Sequence, residues 1–323
     1  MTTTTNTASP TRPAFELLYR QPALTTLVVV LLVALIWQPA FYAPQNLRGV
    51  AIQSAILGIV VLGQTIALIG RGLDMSVAAV MTFAAVLITQ GSVDYPLLSL
   101  AVPLLVLPVL VGLANGFLVI ARRVPAFVAT FAMLIVIEGA RMSWTKGQGA
   151  GSAPAWAKTL GQGSIGGIPT AVVIWLVLLA LVWLALNRSS WGRWLYATGT
   201  SPVAARHVGI PIRAVALSTF FCTSFCAVIA GVLLSGYVGY VDNTLGSSYN
   251  LNSMAAAIIG GVAFSGGRGS VLGATCGVLL MTVLVNLLVL FGLDLFWQRI
   301  VEGGVLVAAV LITGLQDRLG TNR

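Results

Sequence analysis

The chain has 323 residues, of which 58% are hydrophobic and 8% charged, with a mean hydropathy of +0.98 and a formal net charge of +9. Soluble globular proteins carry about 25% charged residues, so composition excludes that class and indicates an integral membrane protein. The basic residues are scattered among apolar runs and make no basic face, which argues against a nucleic-acid surface.

Residues 1–20 form a Thr-rich polar tail with Arg12 and Arg20 before the first apolar run. That run ends in "IWQPAFYAPQN" without a small-residue cleavage site, so it reads as a retained anchor and not a signal peptide. A helix needs about 20 residues to cross the hydrocarbon core. Ten charge-free stretches of at least 14 residues follow: 21–47, 49–70, 75–93, 95–121, 124–137, 159–187, 214–241, 243–267, 269–293 and 303–316. The fifth and tenth are long enough only with Glu138 and Glu302 near an interface. The expected fold is an all-α polytopic membrane protein of about ten transmembrane helices with both termini cytoplasmic. It divides into an N-terminal tail (1–20), one transmembrane domain (21–317) and a C-terminal tail (318–323). This arrangement puts Arg12, Arg20, Arg71, Arg122, Arg123, Arg188, Arg193, Arg206, Arg213, Arg268, Arg318 and Arg323 inside, against Arg48, Arg141, Lys146, Lys158 and Arg299 outside. The excess agrees with the positive-inside rule.

Between the second and third runs, "IGRGLDMSV" places Arg71 and Asp74 three residues apart. Ionisable groups at membrane depth are expensive and face protein, a cavity or an interface. Two readings stand. In one, Asp74 and Ser76 cap the following short span and stiffen a broken helix beside a solute pathway. In the other, Asp74 is an ordinary N-cap paired with Arg71. Residues 139–168 read as a Gly-rich outer loop without helical periodicity. Residues 187–213 read as an inner segment containing "TGTSPVAARHVGIPI". There, Ser201 supplies a cap, Pro202 suits the first turn, Gly209 stops the helix and Pro211 prevents resumption. The result is a helix of about two turns, too short to span. It is either a rigid docking element for a cytosolic partner or a solvated loop. Further on, Gly269, Gly273 and Gly277 recur every four residues and are expected to line a helix-packing face. "SGGRGS" lacks the lysine of a phosphate loop, so the chain carries no ATPase of its own.

Uncharged polar groups in or at the ends of spans are candidates for a translocation path: Gln64, Thr65, Asn115, Thr130, Asn252 and Asn286, with Asp74 beside them. Each competes with simple helix–helix hydrogen bonding. As a set they favour a neutral, hydroxylated solute. A secondary transporter would need a titrating carboxylate near the midplane, and Asp74, Glu138 and Glu302 all fall at span ends. An enzyme is disfavoured. His207 is the only histidine, and Cys222, Cys226 and Cys276 lie in apolar runs, so neither a catalytic triad nor a metal site is expected.

Several motifs together carry a family resemblance. "GLDMSVAAV", "ATGTSPVAARHVGI" and "AAAIIGGVAFSGGRGSVLG", with "GLANGFLV" and "PAFVATFAML", occur in the order found in the membrane permease subunits of ribose-type ABC importers. The chain resembles these over nearly its whole length, within the branched-chain amino-acid/ribose permease superfamily. The resemblance implies a permease in the bacterial plasma membrane, paired with a second permease chain. It also implies two ATPase subunits holding ATP and Mg, and an external sugar-binding protein; this chain itself would bind no cofactor. The segment containing Ser201, Pro202, Ala204, Ala205, Arg206 and Gly209 would be the coupling helix against the ATPase. An amino-acid or nucleoside cargo is the alternative within the superfamily. The chain departs from the family pattern at Arg71 and Ala78 (usually glycine), Glu138 (often arginine), Glu302 (often lysine), and Asn250 and Asn252 (usually a Glu-Leu-Asp pattern). Glu138 or Glu302 is expected to pair with Arg141 or Arg299.

Overall fold

A computed structural model describes residues 22–91 and 101–320. The expected tail at 1–20, the ends of the spans drawn at 75–93 and 95–121, and residues 321–323 lie outside the described residues. Helix α1 (Pro22–Trp37) leads through a short 3-10 turn (Pro39–Tyr42) into α2 (Pro44–Ile69). After a break comes α3 (Val77–Gly91), then α4 (Leu107–Ile120) and α5 (Ala126–Thr145). A ribbon strand β1 (Gly151–Ser152), helix α6 (Ala155–Gln162) and the pair β2 (Ser164–Ile165) and β3 (Ile168–Pro169) precede α7 (Thr170–Arg188). The chain continues with α8 (Ser190–Thr200), α9 (Pro202–His207), α10 (Ile212–Val238), β4 (Tyr240–Val241), α11 (Tyr249–Ile259), α12 (Val271–Leu290) and α13 (Leu295–Gly320). Among the described residues, six helices are long and apolar enough to cross a membrane: α2, α4 with its leading turn from Val102, α5, α7, α10 and α12. Residues Ala23–Trp37 and Val77–Gly91 form shorter apolar helices. The protein is a helical, multi-pass membrane protein.

Helices α2 and α10 form the centre. From Ser54 to Ile69 every α2 side chain is buried, and α10 packs against α2, α3, α4 and α6. Lipid gives helices no hydrophobic reason to associate, so close packing must hold them together. Apolar side chains on the outer helices remain exposed, among them Leu32 and Ile36 of α1, Phe131 and Val136 of α5, and Leu181 and Leu184 of α7. In the first turn of α4, Pro108 has no N–H for the Leu104 carbonyl. The Leu107 amide reaches Val102 instead, opening one π-type turn over Val102–Val106.

The two ends of the bundle differ. At one, β1 pairs with β4, Arg48 donates to the Gln162 carbonyl (2.7 Å) and Gln38 to the Leu290 carbonyl (2.7 Å). At the other, the Gly267 amide donates to the Ile69 carbonyl (2.9 Å) and Tyr196 to the Gly269 carbonyl (2.8 Å). We refer to these as the ribbon end and the break end.

Several sequence expectations are corrected. The stretch 139–168 is not a plain loop: α5 continues to Thr145, and α6 and two short ribbons are built from the remainder. Glu138 therefore lies within α5 and not at its end. The span drawn at 159–187 begins only at Thr170, because Gly166 and Gly167 adopt positive φ and turn the chain first. The charge-free stretch 243–267 holds only 11 helical residues, ending at Gly260 and Gly261, the latter at φ +86°. The last helix starts at Leu295, placing Arg299 and Glu302 in its first turns, and it continues past 317 to Gly320.

Candidate functional site

Helix α2 stops at Ile69. The Gly70 amide still reaches the Ile66 carbonyl, Arg71 takes a left-handed backbone (φ +65°), and the Gly72 amide folds back to the Ala67 carbonyl (2.8 Å). The non-helical residues Leu73–Met75 then need partners for their backbone groups at membrane depth. Two helices supply them. Gln64 of α2 donates from Nε2 to the Asp74 carbonyl (2.6 Å). Thr130 of α5 accepts from the Met75 amide (3.0 Å), and its hydroxyl lies within donating reach of the Leu73 and Ala126 carbonyls. The Asp74 carboxylate turns on its own backbone: Oδ1 accepts from the Ser76 amide (2.8 Å) and the Ser76 hydroxyl, opening α3. Asn115 of α4 completes the knot, donating from Nδ2 to Ser76 Oγ (3.1 Å). Gln64, Thr65, Asp74, Ser76, Asn115 and Thr130 are all fully buried. Gln64 Oε1, Thr65 Oγ1, Asp74 Oδ2 and Asn115 Oδ1 have no hydrogen-bond partner among the described residues.

Arg71 does not pair with Asp74. Its left-handed backbone sends the side chain across to a second break, the turn between α11 and α12, where Nε donates to the Ser265 carbonyl (3.0 Å). This corrects the reading of Asp74 as a cap neutralised by Arg71 and explains one family departure, since φ +65° is a conformation that glycine adopts without strain.

The remaining candidates separate. Gln64, Asp74, Asn115 and Thr130 come together and brace the break, Thr65 is buried next to Gln64 on α2 without joining those hydrogen bonds, and none of the five lines a described cavity. Asn252 lies elsewhere, beside a cavity of about 180 Å³ between α2, α11, α12 and α13, and donates to Glu302 (3.1 Å). Asn286 forms a reciprocal amide pair with Asn46 (3.0 Å each way), tying α12 to α2. Glu302 also bonds Arg299 (3.3 Å), one of the expected pairings, whereas exposed Glu138 makes no ion pair among the described residues. Gly273 and Gly277 of α12 pack directly against the Gly260 and Ala256 carbonyls at the end of α11. Gly269 is not on that helix face. It precedes the N-cap Ser270 with φ +147°, in the turn that Tyr196 holds.

At the break end, α9 forms as its residues direct. Ser201 Oγ accepts from the Ala204 amide (3.3 Å), Pro202 occupies the first turn, Gly209 takes φ +79° and the Ile210 amide closes on the Ala205 carbonyl (3.1 Å). Ala205 is buried, while Ala204, Arg206 and especially Val203 (68% exposed) and Val208 (76%) face outward. Sequence reasoning missed the element behind it. Ser189, whose Oγ accepts from the Gly192 amide (3.1 Å), caps α8, and a Ser before an aromatic-rich run was the available signal. Helix α8 carries α9 and touches both breaks: Gly199 lies on the Ile69 carbonyl, and Thr200 packs on Gly267.

Comparison with known proteins fits this geometry. A family model described as "Branched-chain amino acid transport system / permease component" matches residues 46–310. The chain is 31% identical to an autoinducer 2 import system permease protein of Klebsiella pneumoniae, over 88% of this chain and 83% of that protein. It is 31% identical to a ribose import permease protein of Bacillus subtilis, over 90% and 91%, and 27% identical to that of Haemophilus influenzae, over 95% of each. No solved structure gives a significant match.

Proposed function

We propose that this chain, which belongs to the family of branched-chain amino acid transport system permease components, imports a monosaccharide or similar small polyhydroxylated solute as the membrane subunit of an ATP-driven ABC importer. The relatives' names give ribose and autoinducer 2 as cargo. The amide and hydroxyl groups among the path candidates suit such a neutral solute. ATP and Mg belong on separate ATPase subunits, and an external binding protein delivers the solute. A second permease chain, identical or related, completes the two-fold core, with the exposed apolar faces available to it. The membrane is the bacterial plasma membrane. Ten spans run with both termini inside, so the break end, which carries Arg71, Arg122, Arg123, Arg188, Arg193, Arg206, Arg213 and Arg268, faces the cytoplasm.

The observation that carries this reading is the continuity from α9 through α8 to both breaks. A partner moving α9 moves Ile69 and the 260–270 turn with it. Small displacements are amplified where packed elements have two arrangements. The knot around Asp74 is such a place, because its unpaired buried oxygens each cost about 1–3 kcal/mol and favour rearrangement. In this reading Gln64, Thr65, Asp74, Asn115 and Thr130 form the gate, and the cavity beside Asn252 is an outer vestibule. The test is uptake of radiolabelled D-ribose into vesicles carrying the whole importer. Asn115→Leu is expected to cut ATP-dependent uptake at least several-fold at unchanged membrane abundance. Full uptake by that variant would contradict the gate.

A further inference from the structure

We infer that the groove between the end of α4 and the start of α10 is a binding site for one anionic phospholipid. The groove encloses about 990 Å³ and is lined by Leu113, Gly116, Phe117, Ile120, Ile212 and Leu217, with Arg123, Arg206 and Arg213 at its rim. None of these three arginines has a hydrogen-bond or ion-pair partner among the described residues, and all three are exposed. Among the described side chains, no carboxylate offsets them. Of the carboxylates with described side chains, Asp74 is buried in the knot, Glu138 lies beyond the midpoint of α5, and Asp242, Asp294 and Glu302 belong to the ribbon end. Arg123 holds a left-handed backbone (φ +56°), and Arg122 stacks on the Phe117 ring (5.6 Å). The rim is thus a group of anion-attracting arginines over an apolar floor.

The floor decides what enters. Leu113 to Ile120 covers seven residues of α4, about 10 Å along the axis at 1.5 Å per residue, and it runs into the apolar span. Leu113 and Phe117 are half exposed there. A cytosolic protein docking on α9 does not reach that depth, and a free phosphate leaves the floor uncovered. An acyl chain covers the floor while its phosphate meets Arg123 and Arg213. Basic pockets between transmembrane helices on the cytoplasmic side hold anionic headgroups in this way. Arg206, on the outer lip, also remains available to α9's partner.

The test uses the full-length chain, purified in mild detergent and exchanged into phosphatidylcholine. Phosphatidylglycerol is then titrated in, and native mass spectrometry counts the lipid retained. One phosphatidylglycerol per chain, held about tenfold more strongly than phosphatidylcholine and not displaced by millimolar inorganic phosphate, is the expected result. Arg123→Gln/Arg213→Gln is expected to lose that preference, and Arg188→Gln to keep it. Leu113→Gln, which leaves the rim intact, checks the floor and is expected to weaken both lipids. Equal retention of the two lipids, an unchanged preference in the arginine variant, or displacement by free phosphate would each overturn the site. So would a double variant that sheds a co-purifying ATPase but keeps its phosphatidylglycerol, since the arginines would then serve the protein partner.

Discussion

Asp74 shows how one side chain organises a membrane-embedded turn. Its Oδ1 accepts both hydrogen bonds of Ser76, and Ser76 in turn receives Asn115, so a single carboxylate begins α3 and ties it to α4. Replacing Asp74 by Leu leaves the Ser76 amide and hydroxyl without that acceptor in a dry core. A loss of about 1–3 kcal/mol follows. Asp74→Asn keeps an acceptor in place. The thermal midpoint of the purified chain is therefore expected to fall by several degrees for Leu and much less for Asn; equal melting of the Leu variant and the parent would refute the brace. The motif "GLDMS" announced a break in the sequence, but not which way its charges point. The direction of Arg71 depends on the Ser265 carbonyl, 194 residues away in the chain, and no local pattern encodes it.

At the scale of the element, hydropathy located helical segments well and their ends poorly. Charge-free length cannot separate helix from buried loop, because irregular backbone is tolerated at membrane depth when protein supplies its partners. The stretch around α11 is apolar throughout, yet Gly260 and Gly261 end the helix after 11 residues. Conversely, α5 and α13 carry Glu138 and Glu302 inside helices, where a charge-based boundary stopped short. The helix α9 was legible from Ser201, Pro202 and Gly209 because caps are local chemistry. The glycine stripe was legible only in part: spacing of four groups Gly269 with Gly273 and Gly277, but Ser270 starts the helix after Gly269. Gly277 gives the sharper prediction. A Cβ there would meet the Ala256 carbonyl, so Gly277→Val should part α11 from α12 at a cost of about 1–3 kcal/mol. Lower membrane abundance and a lower melting temperature are expected, while Gly139→Val, which meets open space, should change neither. Equal stability of the two variants would contradict the close packing.

For the whole molecule, the arrangement of ends matters most. The ribbon end joins loops through paired strands and long-range hydrogen bonds. The break end gathers two interrupted helices and the exposed α9 through α8. Composition and hydropathy foretold a polytopic membrane protein, and five motifs in order foretold its family. The network that connects α9 to the Asp74 knot needed three dimensions, because Gly199, Ile69 and Gly267 are scattered along the chain.

In the proposed importer, α9 receives the work of a separate ATPase. The most direct test is a mild-detergent pull-down of the tagged chain from its native membrane, followed by mass spectrometry and an ATPase assay. An ATPase is expected to co-purify with the intact chain and to be lost when residues 200–209 are replaced by a Gly/Ser linker at equal abundance. A chain that comes down without an ATPase, or one that keeps it after that replacement, would contradict the account.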